Sequence, residues 1–294
     1  MYHNIVFAFD EGYAQHFCVA YCSLLENNNN IKFKTYIIYS DLSDGTINIL
    51  NKFSSRFEQK IEFINIDDTI LSGLSVGYHF QKSNYYRLLI PEVIHVDKIL
   101  YLDSDIIINS SIQELLEIDI SDHYLAAVAG ANFDRHEELQ MANDAKYFNS
   151  GVMLINVKKW ADSKLHKKAI KFAKENPQAV KFVDQCALNS IVNGVWLPLM
   201  PIWNQQASFF EHIDFTYFTE DKIEHALNHP AIIHYTGSSK PWHYLNKHPY
   251  KKLYWHYLKK TPYRNYRPED YCLGNIFKKH IPLPIKKYIK KQLG

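Results

Sequence analysis

The chain lacks any uninterrupted apolar stretch near the roughly 18 residues of a membrane-spanning helix. Its first apolar run, Ile5 to Phe9, is cut by Asp10 and Glu11 before it reaches the length of a secretory leader. Cysteine is scarce, and Cys18, Cys22, Cys186 and Cys272 match neither a metal-site spacing nor a disulfide framework. Cys18 and Cys22 fall one helical turn apart on an apolar face, the pattern of inert core thiols. Together these absences point to a cytoplasmic protein. Glycine and proline are also few, 10 and 11 among 294 residues of which 47% are hydrophobic, which excludes a low-complexity chain. That length supports one large globular domain, or one domain with an appendage.

Net charge is small, at +2, but unevenly spread. From His243 onward, 13 Lys and Arg face only Glu269 and Asp270, a surplus of 11 that leaves the first 242 residues at −9. We therefore expect a body over 1–242 and a basic, aromatic extension over 243–294. In that extension Lys278, Lys279, Lys286, Lys287, Lys290 and Lys291 alternate with Ile276, Phe277, Ile281, Leu283, Ile285, Tyr288, Ile289 and Leu293. A basic amphipathic segment of this kind suits an anionic membrane surface, at about 1 kcal/mol per lysine. A solvated end is the plain alternative. Nucleic acid is not expected as a partner, because the acidic body would repel it.

Strand-like and helix-like segments alternate through the body. Ile5–Phe9 is apolar throughout, and Ala14, Phe17, Cys18, Tyr21, Cys22 and Leu25 then follow helical spacing. Further strands are expected over 33–39, 61–66, 99–102, 124–128, 152–157 and 231–235, with helices over 47–57, around Leu165 to Ala173 and around Ala187 to Ile191. Ser83 is a candidate cap for a helix that Pro91 limits, and Ser111 with Glu114 forms a candidate capping box. The alternation predicts an α/β fold, a parallel sheet with helices on both faces. Ligands of such sheets bind beyond the carboxyl ends of the strands.

At one such end stands Asp103-Ser104-Asp105, between two runs of apolar residues with no Lys or Arg in them. Two carboxylates this close repel each other, and burying them unpaired is costly; a divalent cation resolves both problems. Hard oxygen ligands suit Mg²⁺ or Mn²⁺, while a solvated turn is the bland reading. His234 ends another apolar run and precedes a turn over 235–240 that contains Gly237 and Lys240. It is either structural or a third ligand, and an imidazole would bias the site towards Mn²⁺. The turn could present N–H groups and an ammonium to phosphates. Asp10 closes the first strand at the same edge. Asp184 is either an N-cap or functional, and Asn149-Ser150-Gly151 either an ordinary turn or part of the site. Arg87 would pair with an acid or with a phosphate.

Tyr85-Tyr86-Arg87-Leu88, Lys98 to Asp105, Phe148 to Asn156, Asp184-Gln185 and His234 to Trp242 occur in this order. Together they resemble glycosyltransferase family 8, particularly its bacterial lipopolysaccharide galactosyl- and glucosyltransferases, over residues 4 to 242. The resemblance implies a GT-A-like, Rossmann-type fold for nucleotide-diphospho-sugars, a UDP-hexose donor, Mn²⁺ and retention of anomeric configuration. It places Asp103, Asp105 and His234 on the metal and Gly237 and Lys240 on the phosphates. Ala8, Asp10 and Tyr13 match positions that hold uridine, and Ser104 is grouped with these donor contacts. Arg87, Asn149, Asp184 and Gln185 match positions around the donor sugar. A saccharide or lipid-linked acceptor would favour docking of the tail on the inner face of the plasma membrane. The rival readings are a sugar nucleotidyltransferase, which would need a basic Gly-rich loop where Asp10-Glu11-Gly12-Tyr13 stands, and a carbohydrate-binding protein without turnover.

Overall fold

The structure is a computed structural model and describes residues 2–77, 81–130, 133–211 and 217–280. Seven strands form the main sheet: β1 (Tyr2–Ala8), β2 (Lys32–Tyr39), β3 (Ile61–Asn65), β4 (Lys98–Leu102), β6 (Leu125–Ala129), β7 (Phe148–Asn156) and β8 (Leu197–Pro198). Their spatial order is β3-β2-β1-β4-β7-β6-β8. A small second sheet, ordered β5-β10-β9, joins β5 (Ile106–Ile108), β9 (Gln205–Gln206) and β10 (Ile232–His234).

Alternation along the central strands sends successive side chains to opposite faces. Ile5 and Phe7 of β1, with Leu100 and Leu102 of β4, enter one core against the helix Ala14–Asn27. Val6, Ala8, Ile99 and Tyr101 enter the other, against the helices Leu165–Glu175 and Val183–Val192. Cys18 and Cys22 are fully buried in the first core. The chain beyond Trp242 adds Tyr254, Tyr257 and Leu258 to that same core, from the helix Lys251–Leu258.

The expected parallel sheet is present but is not parallel throughout. β1 runs parallel to β2 and β4, but β7 is antiparallel to both β4 and β6. Among the described residues no crossover helix separates β6 from β7, and an antiparallel neighbour needs none. Because β7 runs backwards, its first residues stand at the edge where β1 and β4 end: Leu102 faces Val152. The segment Asn149-Ser150-Gly151 therefore lies inside a strand rather than in a turn.

Three capping expectations also change. Residues 82–89 form a 3-10 helix capped by Gln81, while Ser83 Oγ donates to Asp10 at 2.8 Å. The helix Gln113–Glu117 follows Ile112 rather than Ser111, whose Oγ accepts from Gln113 N–H at 3.3 Å, so Ser111 and Glu114 do not form the capping box. The helix Val183–Val192 follows Phe182, which leaves Asp184 in its first turn. In the extension, the helix Leu273–His280 is described, whereas the expected membrane contacts from Ile281 to Leu293 lie outside the described residues.

Candidate metal and donor site

Asp103 and Asp105 flank the point where the chain leaves β4 and enters β5. Pairing of β5 with β10 sets His234 opposite Ile106, and Tyr235 N–H donates to the Asp105 carbonyl at 3.0 Å. The His234 Nε2 consequently stands 3.3 Å from Asp105 Oδ1 and 3.5 Å from Asp103 Oδ2. One ligand atom from each of the three residues lies within 4.8 Å of the others.

These residues fit a hard divalent cation. Two carboxylates and one imidazole supply the donor set, and the contacts match the spacing of ligands around a centre with bonds of roughly 2.1 Å. Gly151 keeps the space clear. A Cβ at that position would meet His234 Cε1 at 2.1 Å and Asp103 Oδ2 at 2.6 Å.

Arg87 anchors the other side of Asp103. The residue is 2% exposed, and its guanidinium donates to Asp103 Oδ1 at 2.9 Å, to the Ser150 carbonyl at 2.8 Å and towards Asp184 Oδ2 at 3.1 Å. It also lies over the Tyr101 ring, whose hydroxyl donates to Asp103 Oδ1 at 2.7 Å. Burial works against its charge, but Asp103 and Asp184 together hold it firmly protonated. Of these two acids, Asp184 is the more buried. Burial first, with Asp103 adding to it, pushes its carboxyl up to about 6 against the pull of Arg87. Val183, just before it, adopts a left-handed φ of 38°, uncommon for a β-branched residue, at the turn that aims Asp184 and Gln185.

Asp105 pairs elsewhere. Lys240 Nζ donates to its Oδ2 at 2.5 Å and to the Tyr235 carbonyl at 2.7 Å. Burial alone would raise the Asp105 carboxyl, but Lys240 and then His234 outweigh it and hold it well below the usual range. Gly237, between His234 and Lys240, takes a φ of +85°, which a side chain would oppose.

A cavity of about 380 Å³ opens on this cluster. It is lined by Ala8, Tyr13, Arg87, Asp103, Ser104, Asp105, Asn149, Asp184, Gln185, His234, Gly237 and Lys240, the expected site residues apart from Asp10. Asp10 lines the adjoining hollow, which shares Tyr13 and Lys240 with the first. Burial, then Asp105, Asp103 and Asp10, keep the Tyr13 phenol protonated. Ser104 Oγ is buried in the wall without a hydrogen-bond partner.

Sequence reading did not single out Tyr101, Tyr147 or Asn204, and it took Gly151 only as part of the Asn149-Ser150-Gly151 run. Tyr147 accepts from Gln185 Nε2 at 2.9 Å, and Asn204, fully buried, touches both Asn149 and His234. The Gly in Asn149-Ser150-Gly151 was a visible signal once that run is a strand. Nothing local marks Asn204.

Residues 4–246 match the profile of glycosyl transferase family 8. The chain is 31% identical over 260 residues to general stress protein A of Bacillus subtilis, an alignment covering 85% of this chain and 91% of that protein. It is 27% identical over 274 residues to a lipopolysaccharide 1,2-glucosyltransferase of Escherichia coli, covering 91% and 80% respectively. A crystal structure of the galactosyltransferase LgtC in complex with donor and acceptor sugar analogues matches with a TM-score of 0.80 at 24% identity, covering 91% of this chain and 98% of that one. A likeness at that identity is one of fold, here the mixed α/β, GT-A-like sheet described above. The chain therefore belongs to glycosyl transferase family 8.

Proposed function

We propose that this glycosyltransferase moves a hexose, galactose or glucose, from UDP to a saccharide acceptor with retention of configuration. The observation that carries this reading is the Asp103, Asp105 and His234 cluster in the wall of the cavity. These three residues would hold Mn²⁺, or Mg²⁺, which when bound supplies Lewis-acid neutralisation of the departing diphosphate. Ala8, Asp10, Tyr13 and Ser104 would face the nucleotide. Lys240 would trade Asp105 for a diphosphate oxygen, and the Gly237 turn would let backbone N–H groups approach it.

Arg87, Asn149, Asp184 and Gln185 would surround the donor sugar. Gln185 Oε1 already accepts from Asn149 Nδ2 at 3.0 Å and from Ser150 N–H at 3.1 Å. Its lone pairs are thus committed, which supports stabilisation of the oxocarbenium-like sugar over attack on it. In the step we favour, the acceptor hydroxyl oxygen bonds to C1 as the C1–phosphate bond breaks on the same face. The hydroxyl proton passes to the leaving phosphate.

The lipopolysaccharide transferase among the relatives supports a lipopolysaccharide or other lipid-linked acceptor. Among the described residues no helix is long and apolar enough to cross a membrane. We propose instead peripheral docking through the basic extension, where Leu273 and Phe277 are 74% and 70% exposed.

Release of UDP from a panel of UDP-sugars, with Mn²⁺ and with chelator, tests the reading. Slow, Mn²⁺-dependent hydrolysis of one or two donors is expected. A folded protein that neither binds nor hydrolyses any donor would overturn it and favour a binding protein.

A further inference from the structure

We propose that Asn204 is a positioning residue that fixes which nitrogen of His234 faces the carboxylate pair. Two backbone N–H groups, which can only donate, fix the directions of the neighbouring side-chain amides. Ser150 N–H meets one end of the Gln185 amide at 3.1 Å, and Gly151 N–H meets one end of the Asn149 amide at 3.0 Å. Both of those ends are therefore oxygens. Asn149 Nδ2 then donates to Gln185 Oε1 at 3.0 Å, in agreement. Asn204 approaches Asn149 Oδ1 at 2.9 Å, and only its amide nitrogen can bond there. Its other end is thus oxygen, and it lies 2.9 Å from His234 Nδ1, which must carry the proton.

A neutral His234 locked in this way has its lone pair on Nε2, the atom facing Asp103 and Asp105. Asn204 is 0% exposed and His234 4%, so little water can substitute for the amide. The chain Gln185–Asn149–Asn204–His234 thereby ties the donor-sugar side of the cavity to the imidazole through side-chain amides whose directions two strand N–H groups set. The consequence for cation affinity rests on the metal reading above; the tautomer does not. Supporting groups of this kind typically change metal affinity 10- to 100-fold.

The test uses the full chain labelled with ¹⁵N-histidine, His234 being assigned by difference against His234→Gln. Without added metal, and at a pH where histidines are neutral, long-range ¹H–¹⁵N spectra should show His234 protonated at Nδ1. Asn204→Leu should give a mixed or Nε2–H tautomer and weaken Mn²⁺ binding, read by electron paramagnetic resonance, by about 10- to 100-fold. Asn204→Asp, which still offers an acceptor to Nδ1, should keep the Nδ1–H form and most of the affinity. An Nε2–H tautomer in the unaltered protein, or the unaltered tautomer and affinity in Asn204→Leu, would overturn the proposal. If Asn204→Leu does not fold, the spectra of the unaltered protein and of Asn204→Asp still decide it. Failure of the unaltered protein to take up Mn²⁺, or uptake unchanged in Asp103→Ala, would sink the metal reading instead while the tautomer spectra still decide Asn204.

Discussion

Gly151 shows how narrowly single atoms constrain the cluster. Its carbonyl accepts from Asp103 N–H at 2.8 Å, so the strand cannot retreat to admit a methyl group without breaking the bond that places Asp103. The strain of Gly151→Ala would therefore fall on His234 and Asp103. We expect a folded variant whose Mn²⁺ affinity drops by about tenfold or more, measured by titration calorimetry; an unchanged isotherm would show that the clash relaxes elsewhere. The two aspartates should behave differently. Both Asp103→Ala and Asp105→Ala should remove metal-dependent binding of the donor. Asp105→Ala also strands Lys240, whose side chain is 9% exposed, and breaking such a buried pair costs about 3 kcal/mol. Asp103→Ala leaves Arg87 still paired with Asp184 and should cost less. Urea unfolding compares them, and equal losses would mean that Lys240 finds another partner.

At the scale of elements, the helix Ala14–Asn27 joins the body to the chain beyond Trp242. His16 stacks on Trp242 with centroids 3.5 Å apart, and its Nδ1 lies 2.7 Å from the Tyr254 hydroxyl. Burial, partly offset by Asp105, lowers its pKa from 6.5 to about 3. The folded protein thus binds fewer protons than the unfolded chain between those values. Stability contributed by neutral His16 is complete above about pH 6.5 and falls as the pH drops, by roughly 1.4 kcal/mol per pH unit. His16→Gln should flatten the fall of the urea midpoint between about pH 6.5 and 4.5. A slope equal to that of the unaltered protein would assign the acid sensitivity to other groups.

For the whole molecule the informative quantity is the division of charge. A body at −9 approaches an anionic surface only if the basic end leads. Deleting residues 275–294 should release the protein from vesicles containing anionic lipid, yet preserve donor hydrolysis, since none of the cavity-lining residues is removed. Sedimentation with vesicles at two salt concentrations measures this. Co-sedimentation of the truncated chain at physiological salt would move the anchor elsewhere.

Hydrophobic periodicity by itself determined the strands β1 to β4, the helix Ala14–Asn27 and the apolar flanks of Asp103-Ser104-Asp105, because burial of one face is written locally in residue spacing. The ordered motifs were enough to indicate the family. Only the tertiary structure decided that β7 runs antiparallel, for strand direction depends on a connection and not on composition. That reversal turned Asn149-Ser150-Gly151 from a turn into a wall of the cavity and made its glycine obligatory. It likewise decided the partners: Arg87 to Asp103 and Asp184, Lys240 to Asp105, Ser83 to Asp10 and Asn204 to His234. Such pairings lie far apart in the chain, and buried polar groups select whichever donor or acceptor the packed backbone brings within reach.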